Sequence, residues 1–412
     1  MSFIKVENGS CVNIKNCIFE GLNGKNVISC DATSTVNIKE NIFKKSDDVN
    51  IDNKFFKIHT DYKNRGKNSK CKCGSNKKQK DCCLKIIQKL NLNESKNICL
   101  VIGNGFNISA RNYLKDTNQE LELNTADFFN WEIESISKKG ECLIDDFPIL
   151  KKYLDKVEYE KSFEKVQELN DFASKILKEN LDDNEANILI CELKYYITIA
   201  FSNFQIEFQK KDISQWSWVR VLKLMKDKLS YIISFNYELV LENALKKANI
   251  PYRRVGLYEE DKGIAILKPH GSIDFDVLGI NVPLSLPINS YKDRNDMPIR
   301  KIEENNLITR RCECDIILPL EESYQKEYQW IKPGYDELNK YGNQIDNLII
   351  CGMSYWECDK EEIDYILDST SKDAFITIVN KVENPELIKK IYSKFDKNKV
   401  QTIDLDRFIN TI

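Results

Sequence analysis

An α/β fold on a doubly wound parallel sheet is what this chain of 412 residues predicts from Asn97 onward. Three observations carry that expectation. Short apolar-rich runs recur at Ile98–Ile102, Tyr231–Ser234, Ile264–Leu267, Asp315–Leu318, Leu348–Cys351 and Phe375–Val379, as in strands buried on both faces. Between them, Glu238–Ala248, Glu321–Tyr341, Lys360–Leu367 and Pro385–Phe395 carry apolar residues three and four apart, which is helical spacing, and this alternation builds a parallel sheet covered by helices. Polar or glycine-rich turns follow four of the runs: Gly103-Asn104-Gly105-Phe106-Asn107, Ser234-Phe235-Asn236-Tyr237-Glu238, Lys268-Pro269-His270-Gly271-Ser272 and Gly352-Met353-Ser354. The carboxyl ends of parallel strands are where such sheets bind ligands.

Residues 1–53 form a β-repeat segment. Val12-Asn13-Ile14-Lys15 recurs as Val36-Asn37-Ile38-Lys39, and Ile18-Phe19 as Ile42-Phe43, at an offset of 24 residues. Apolar and polar residues alternate within each copy, so the copies read as short strands and the period as two rungs of a parallel β-solenoid. Two rungs are fewer than the roughly three that bury a stable solenoid core, so the segment stacks on further surface in cis or in trans. A meander of hairpins is the alternative.

Residues 54–95 carry a basic stretch and a cysteine cluster. Between Lys54 and Lys89 stand 12 Lys or Arg against Asp61 and Asp81, although the whole chain carries −3. Such a segment suits an anionic partner, nucleic acid included, or is a solvated linker. Cys71, Cys73, Cys82 and Cys83 follow C-x-C-G-S-x-K-K-x-K-x-C-C. Gly74 permits a tight turn after the first pair, so four thiolates can converge on one tetrahedral Zn²⁺. A four-sulfur site is closed, hence structural, and would supply folding energy to a segment too short for its own core. The pattern resembles the SEC-C motif.

Residues 96–412 are the α/β domain, interrupted over about 112–228 by a helical insertion in which Phe163–Leu181 and Ile188–Phe208 show helical periodicity. The 14 cysteines, without an export signal, read as reduced thiols and metal ligands, and no run approaches the roughly 18 apolar residues of a membrane span. A cytoplasmic protein is the expectation.

The first turn has two glycines, but Ile108 stands where the third of G-x-G-x-x-G would be; this disfavours an ordinary nicotinamide dehydrogenase. There is no G-x-x-x-x-G-K-[ST] run, so a P-loop NTPase is disfavoured too. A helix starting after Gly105 could still aim N–H groups at a phosphate, or the turn is only a tight connection. Asn236 could cap the following helix or contact a ligand. His270 is one of two histidines, with His59, and sits between a backbone-fixing proline and a glycine. An imidazole titrates near neutrality and suits acid–base work; the plainer role for it is structural.

Taken in order, GNGFN, SFNYE, PHGS, GMS and Thr377-Ile378-Val379-Asn380 resemble the motifs of the sirtuin-like NAD-binding fold and of AbiH-type proteins of bacterial phage defence, over roughly Lys96 to Ile412. AbiH-type chains usually read GNGFD; Asn107 stands in place of the aspartate. The resemblance implies His270 and Asn236 as catalytic, and contacts to NAD from Gly103, Asn104, Gly105, Phe106, Asn107, Ser234, Gly271, Ser272, Gly352, Ser354 and Asn380. It implies cleavage of the nicotinamide–ribose bond. True deacylases of the family carry a C-x-x-C…C-x-x-C zinc module inside the fold. Cys312-Glu313-Cys314 is a single pair, so water is the implied acceptor and NAD the substrate, in abortive infection triggered by a phage or host macromolecule through the N-terminal modules. ADP-ribosyl transfer and a non-catalytic zinc-module adaptor are the alternatives; a homo-oligomer stays open.

Overall fold

A computed structural model of the chain describes residues 4–6, 11–15, 18–20, 28–30, 35–39, 42–44, 68–71, 77–125, 127–178, 183–257, 262–277, 299–308, 316–319, 328 and 330–404. These fall into two compact units, Met1–Lys80 and Asp81–Ile412. Cys73, the Cys312–Cys314 pair and most of the basic stretch lie outside the described residues.

In the first unit the repeat becomes stacked strands. β1 (Ile4–Val6) pairs with β4 (Ile28–Cys30), β2 (Cys11–Lys15) with β5 (Thr35–Lys39), and β3 (Ile18–Glu20) with β6 (Ile42–Lys44), every pair parallel and every partner 24 residues away. Parallel pairing at the repeat period is the solenoid arrangement; hairpins would have paired antiparallel. Farther on, Cys71 N–H donates to Lys77 O at 2.8 Å.

The second unit opens with α1 (Cys83–Lys89) and holds a seven-stranded sheet. Its strands are β7 (Ile98–Ile102), β8 (Leu229–Ser234), β9 (Tyr252–Arg254), β10 (Ile264–Leu267), β13 (Asn347–Cys351), β14 (Phe375–Asn380) and β15 (Val400–Asp404), in the order β15-β14-β13-β7-β8-β10-β9. All pairs are parallel. The chain winds outward from β7 through β8 to β10 and β9, then returns to the other side of β7 for β13, β14 and β15. The winding direction therefore reverses between β7 and β13, and a crevice forms outside their carboxyl ends. Both strands are buried at all five positions. β11 (Phe275–Val277) and β12 (Ile299–Lys301) form a separate antiparallel pair.

Alternate residues of each strand serve opposite faces. One face, with Cys99, Val101, Ile233, Leu348 and Ile350, packs on α8 (Lys332–Tyr341), α9 (Glu357–Ser369) and α10 (Pro385–Lys394). α2 (Asn104–Asp116) follows β7, and α7 (Val240–Ala248) follows β8. The insertion comprises α3 (Pro148–Leu154), α4 (Ser162–Lys178), α5 (Asp183–Gln209) and α6 (Ser217–Met225). Its own core, around Phe128, Leu193 and Phe201, also takes in Tyr237, Ile273, Ile316 and Leu318. The insertion is thereby seated on the two loops that carry Asn236 and His270.

The predicted strand at Asp315–Leu318 is not in the sheet: Ile316 makes one antiparallel bridge to Gly271, and the apolar side chains of this run are divided between the two cores. Among the described residues no helix is long and apolar enough to cross a membrane.

Candidate functional site

The glycine turn sits on the reversal point. Gly103 N–H donates to Cys351 O and Gly105 N–H to Gly352 O, each at 3.0 Å. A Cβ on Gly105 would stand 2.4 Å from Gly352 Cα, and one on Gly352 would stand 2.5 Å from Gly105 Cα; Gly352 also has φ +65. The two glycines are thus required by the approach of two backbones. Two amides of this helix start are used within the protein, Gly105 N–H by Gly352 O and Phe106 N–H by Gly103 O, each at 3.0 Å.

The other motifs close around this point. Asn236 Nδ2 donates to Gly103 O at 3.1 Å and to Asn107 Oδ1 at 3.4 Å, and Asn107 Nδ2 donates to Glu238 Oε2 at 2.7 Å. Asn236 does not cap the next helix, since α7 begins only at Val240, with Leu239 as its N-cap. Its amide nitrogen is committed to the glycine turn, leaving the amide oxygen as the group suited to a ligand hydroxyl or water. Ser272 Oγ and Lys268 Nζ both donate to Tyr237 O, at 3.1 and 3.3 Å, and Lys268 Nζ to Glu238 O at 2.7 Å. The histidine loop is therefore clasped to the asparagine loop by its own flanking side chains. Asn380 Nδ2 donates to Met353 O at 2.8 Å, joining the two late motifs.

These loops surround a cavity of about 500 Å³, within the usual range of roughly 300–1,000 Å³ for small-molecule sites. Gly103, Asn104, Gly105, Asn107, Asn236, His270, Gly352, Ser354 and Asn380 all line it. Four other expected contacts stand behind its wall. Phe106 is fully buried against Trp216 and Trp218, with ring centroids 4.8 and 5.2 Å away. Ser234 and Ser272 are buried, and Gly271 turns the loop at φ +75. These residues shape the site without facing the cavity. From the insertion, Lys161, Phe163 and Phe201 complete the wall.

Carboxylates missed in the sequence dominate the electrostatics. Glu238 lines the cavity, is buried, and has its carboxyl pushed up to about 7 by desolvation, against the opposing pull of Lys268 and the Asn107 hydrogen bond. Asp359 lines it as well, and burial raises its carboxyl to about 6 although His270 acts the other way. Glu362 Oε2 is 2.7 Å from His270 Nε2. Perturbed groups converging on one cleft are a mark of functional sites. Beneath the loops lies a buried ionic cluster: Arg254 pairs with Glu242 at 3.1 Å and Asp274 at 3.0 Å, and Lys268 lies 3.5 Å from Glu242. SFNYE held a hint of Glu238, as the one acid in an otherwise uncharged strand-end motif. The acids of α9 gave no such hint.

For the cysteine motif, Cys71 is buried in the first unit, and Cys82 and Cys83 are buried at the start of the second. Arg220 Nη1 donates to Cys82 Sγ at 3.5 Å. Buried thiols of this kind are compatible with structural zinc.

No protein-family model matches the chain, and no curated protein matches it. Solved structures similar to it include one described as the structural basis for the mechanism and regulation of Sir2 enzymes, at 13% identity and TM-score 0.33, covering 79% of this chain and 96% of that one. A Sir2 homolog–NAD complex aligns at 11% identity and TM-score 0.34, covering 79% and 91%. A Sir2 homologue mutant bound to ADP-ribose aligns at 11% identity and TM-score 0.33, covering 79% and 95%.

Proposed function

We propose that the cavity binds NAD and that the chain hydrolyses it to nicotinamide and ADP-ribose. The observation that carries this reading is the convergence of Asn236, His270 and the glycine turn on one cavity at the reversal point of the sheet. The C1′–N bond of the nicotinamide ribose breaks and its electron pair neutralises the pyridinium. Water then forms the C1′–O bond and releases one proton. Because the leaving group departs neutral, the site needs little acid catalysis; it needs orientation and stabilisation of an oxocarbenium-like transition state. Asn236 Oδ1 would hold a ribose hydroxyl or the water, His270 would accept the proton, and the carboxylates of Glu238 and Asp359 would face the developing positive charge. Asn380 Oδ1 is buried without a protein partner, which suits a hydrogen-bond donor from the ligand. The roof from the insertion would limit entry of bulk water.

Zinc held by Cys71, Cys73, Cys82 and Cys83 would order the segment before the sheet and take no part in the reaction. An antiphage role, with a trigger acting through the N-terminal segments, follows from the motif resemblance alone.

Incubation with NAD labelled in its adenylate half tests the reading. Equal amounts of nicotinamide and free ADP-ribose support hydrolysis. Label transferred to protein or nucleic acid would replace it with ADP-ribosyl transfer. Binding of ADP-ribose without turnover would favour the adaptor.

A further inference from the structure

Asp359 and Glu362 lie three residues apart on α9 and so share a helix face. That face meets the histidine loop. Glu362 Oε2 is 2.7 Å and Asp359 Oδ1 3.9 Å from His270 Nε2. Glu362 is 1% exposed, and its second oxygen accepts from the Tyr335 hydroxyl of α8 at 3.3 Å. Both of its oxygens are therefore engaged, which fixes the side chain. Asp359 lines the cavity, whereas Glu362 stands behind it. The Phe235 ring also lies edge-on to the imidazole at 5.1 Å, with the Tyr237 ring at 6.4 Å; Cys358 Sγ lies 3.5 Å from Asp359 Oδ1.

We propose that Glu362 is a positioning residue for His270: it holds a proton on Nε2, makes Nδ1 the basic nitrogen, and stabilises the imidazolium once His270 has taken a proton, while Asp359 presents a second carboxylate on the substrate side. An O–H bond of water or ribose breaks, its proton moves to Nδ1, the Nε2–H bond stays intact, and the proton leaves to solvent with the products. A carboxylate behind an imidazole fixes tautomer and orientation in just this way in other hydrolytic sites. The activity part of this inference rests on the NAD-cleavage reading; the placement of the proton does not.

The chain has only two histidines, His59 and His270, so a His59→Gln protein carrying ¹⁵N-histidine reports a single ring. The expected spectrum shows the Nε2–H tautomer with a downfield, hydrogen-bonded proton, and that proton is lost in Glu362→Ala. An Nδ1–H tautomer in the parent protein, or survival of the downfield proton in Glu362→Ala, overturns the proposal. These arms decide the matter even if the parent releases no nicotinamide. If it does, Glu362→Gln keeps the fold and ADP-ribose binding, leaves KM for NAD nearly unchanged and lowers kcat by about 10²–10⁴-fold; an unchanged kcat would overturn the role. Because His270, Asp359 and Glu362 could also share an ion, Mn²⁺ is added: site-specific broadening of the ring signals, reversed by a chelator, would replace the proton relay with a metal site.

Discussion

Glu238→Gln isolates the most perturbed carboxyl that faces the cavity. In the folded chain this group is carried from 4.5 to about 7, chiefly by burial. Each tenfold change in proton affinity corresponds to about 1.4 kcal/mol, so ionising Glu238 above pH 8 costs the folded state roughly 3 kcal/mol. The sign follows from which state holds the proton. Between about 4.5 and about 7 the folded chain binds more protons than the unfolded one, so the contribution of Glu238 is fully present below 4.5 and is lost as pH rises through 7. Glutamine keeps an oxygen for the Asn107 amide and never ionises. Thermal or denaturant unfolding of wild type and Glu238→Gln at pH 5, 6, 7 and 8 reads the effect. The variant should gain on wild type across that range, approaching ~3 kcal/mol as an upper bound. A difference that is flat in pH would show that Lys268 and the Asn107 hydrogen bond offset burial, and one that runs the other way that they outweigh it; either refutes the raised carboxyl.

Further consequences concern the backbone, the buried charges and the thiols. Gly352→Ala puts a Cβ 2.5 Å from Gly105 Cα at φ +65 and should lower stability by roughly 1–3 kcal/mol from crowding, plus about 1–2 kcal/mol from the left-handed backbone. Gly140→Ala, at φ +84 with nothing within 4 Å, should lose only the backbone part; equal losses in the two variants would refute the close-approach argument. Lys268→Met leaves Glu242 and Asp274 underpaired and should cost about 3–5 kcal/mol in denaturant unfolding, with Glu242→Gln in the same chain recovering part of it. Metal analysis of reduced protein should find about one zinc per chain, lost with Cys82→Ser; none in the parent would dismiss the four-thiolate reading.

How far the fold could be read from the chain depended on whether burial left an apolar trace. Ile98–Ile102 and Leu348–Cys351 are buried along their whole length, and their runs announced them. β9 did not: it reads Tyr252-Arg253-Arg254, and Arg254 is buried through ion pairs with partners 12 and 20 residues away. β15 sits at the sheet edge with mixed side chains. The run at Asp315–Leu318 misled because apolar side chains drive burial, not pairing, and these fill cores beside the sheet. At the site, the turn residues were legible because close backbone approach demands glycine. The solenoid period was legible because each rung repeats its neighbour. Glu362 and Asp359 were hidden: acids on a helix look like a solvated face until the histidine loop is folded against them. Phe106, Ser234 and Ser272 were visible in the motifs, but sequence order does not say which motif residues face inward to the scaffold.

The central claim is tested most directly by nicotinamide release from NAD, with wild type beside His270→Ala and Asn236→Ala. The account predicts release by wild type, its abolition in both variants, and an unchanged folded state in each by circular dichroism and unfolding. Full activity in either variant would contradict the assignment of that residue. Absence of release from wild type, together with no binding of ADP-ribose, would contradict the site itself.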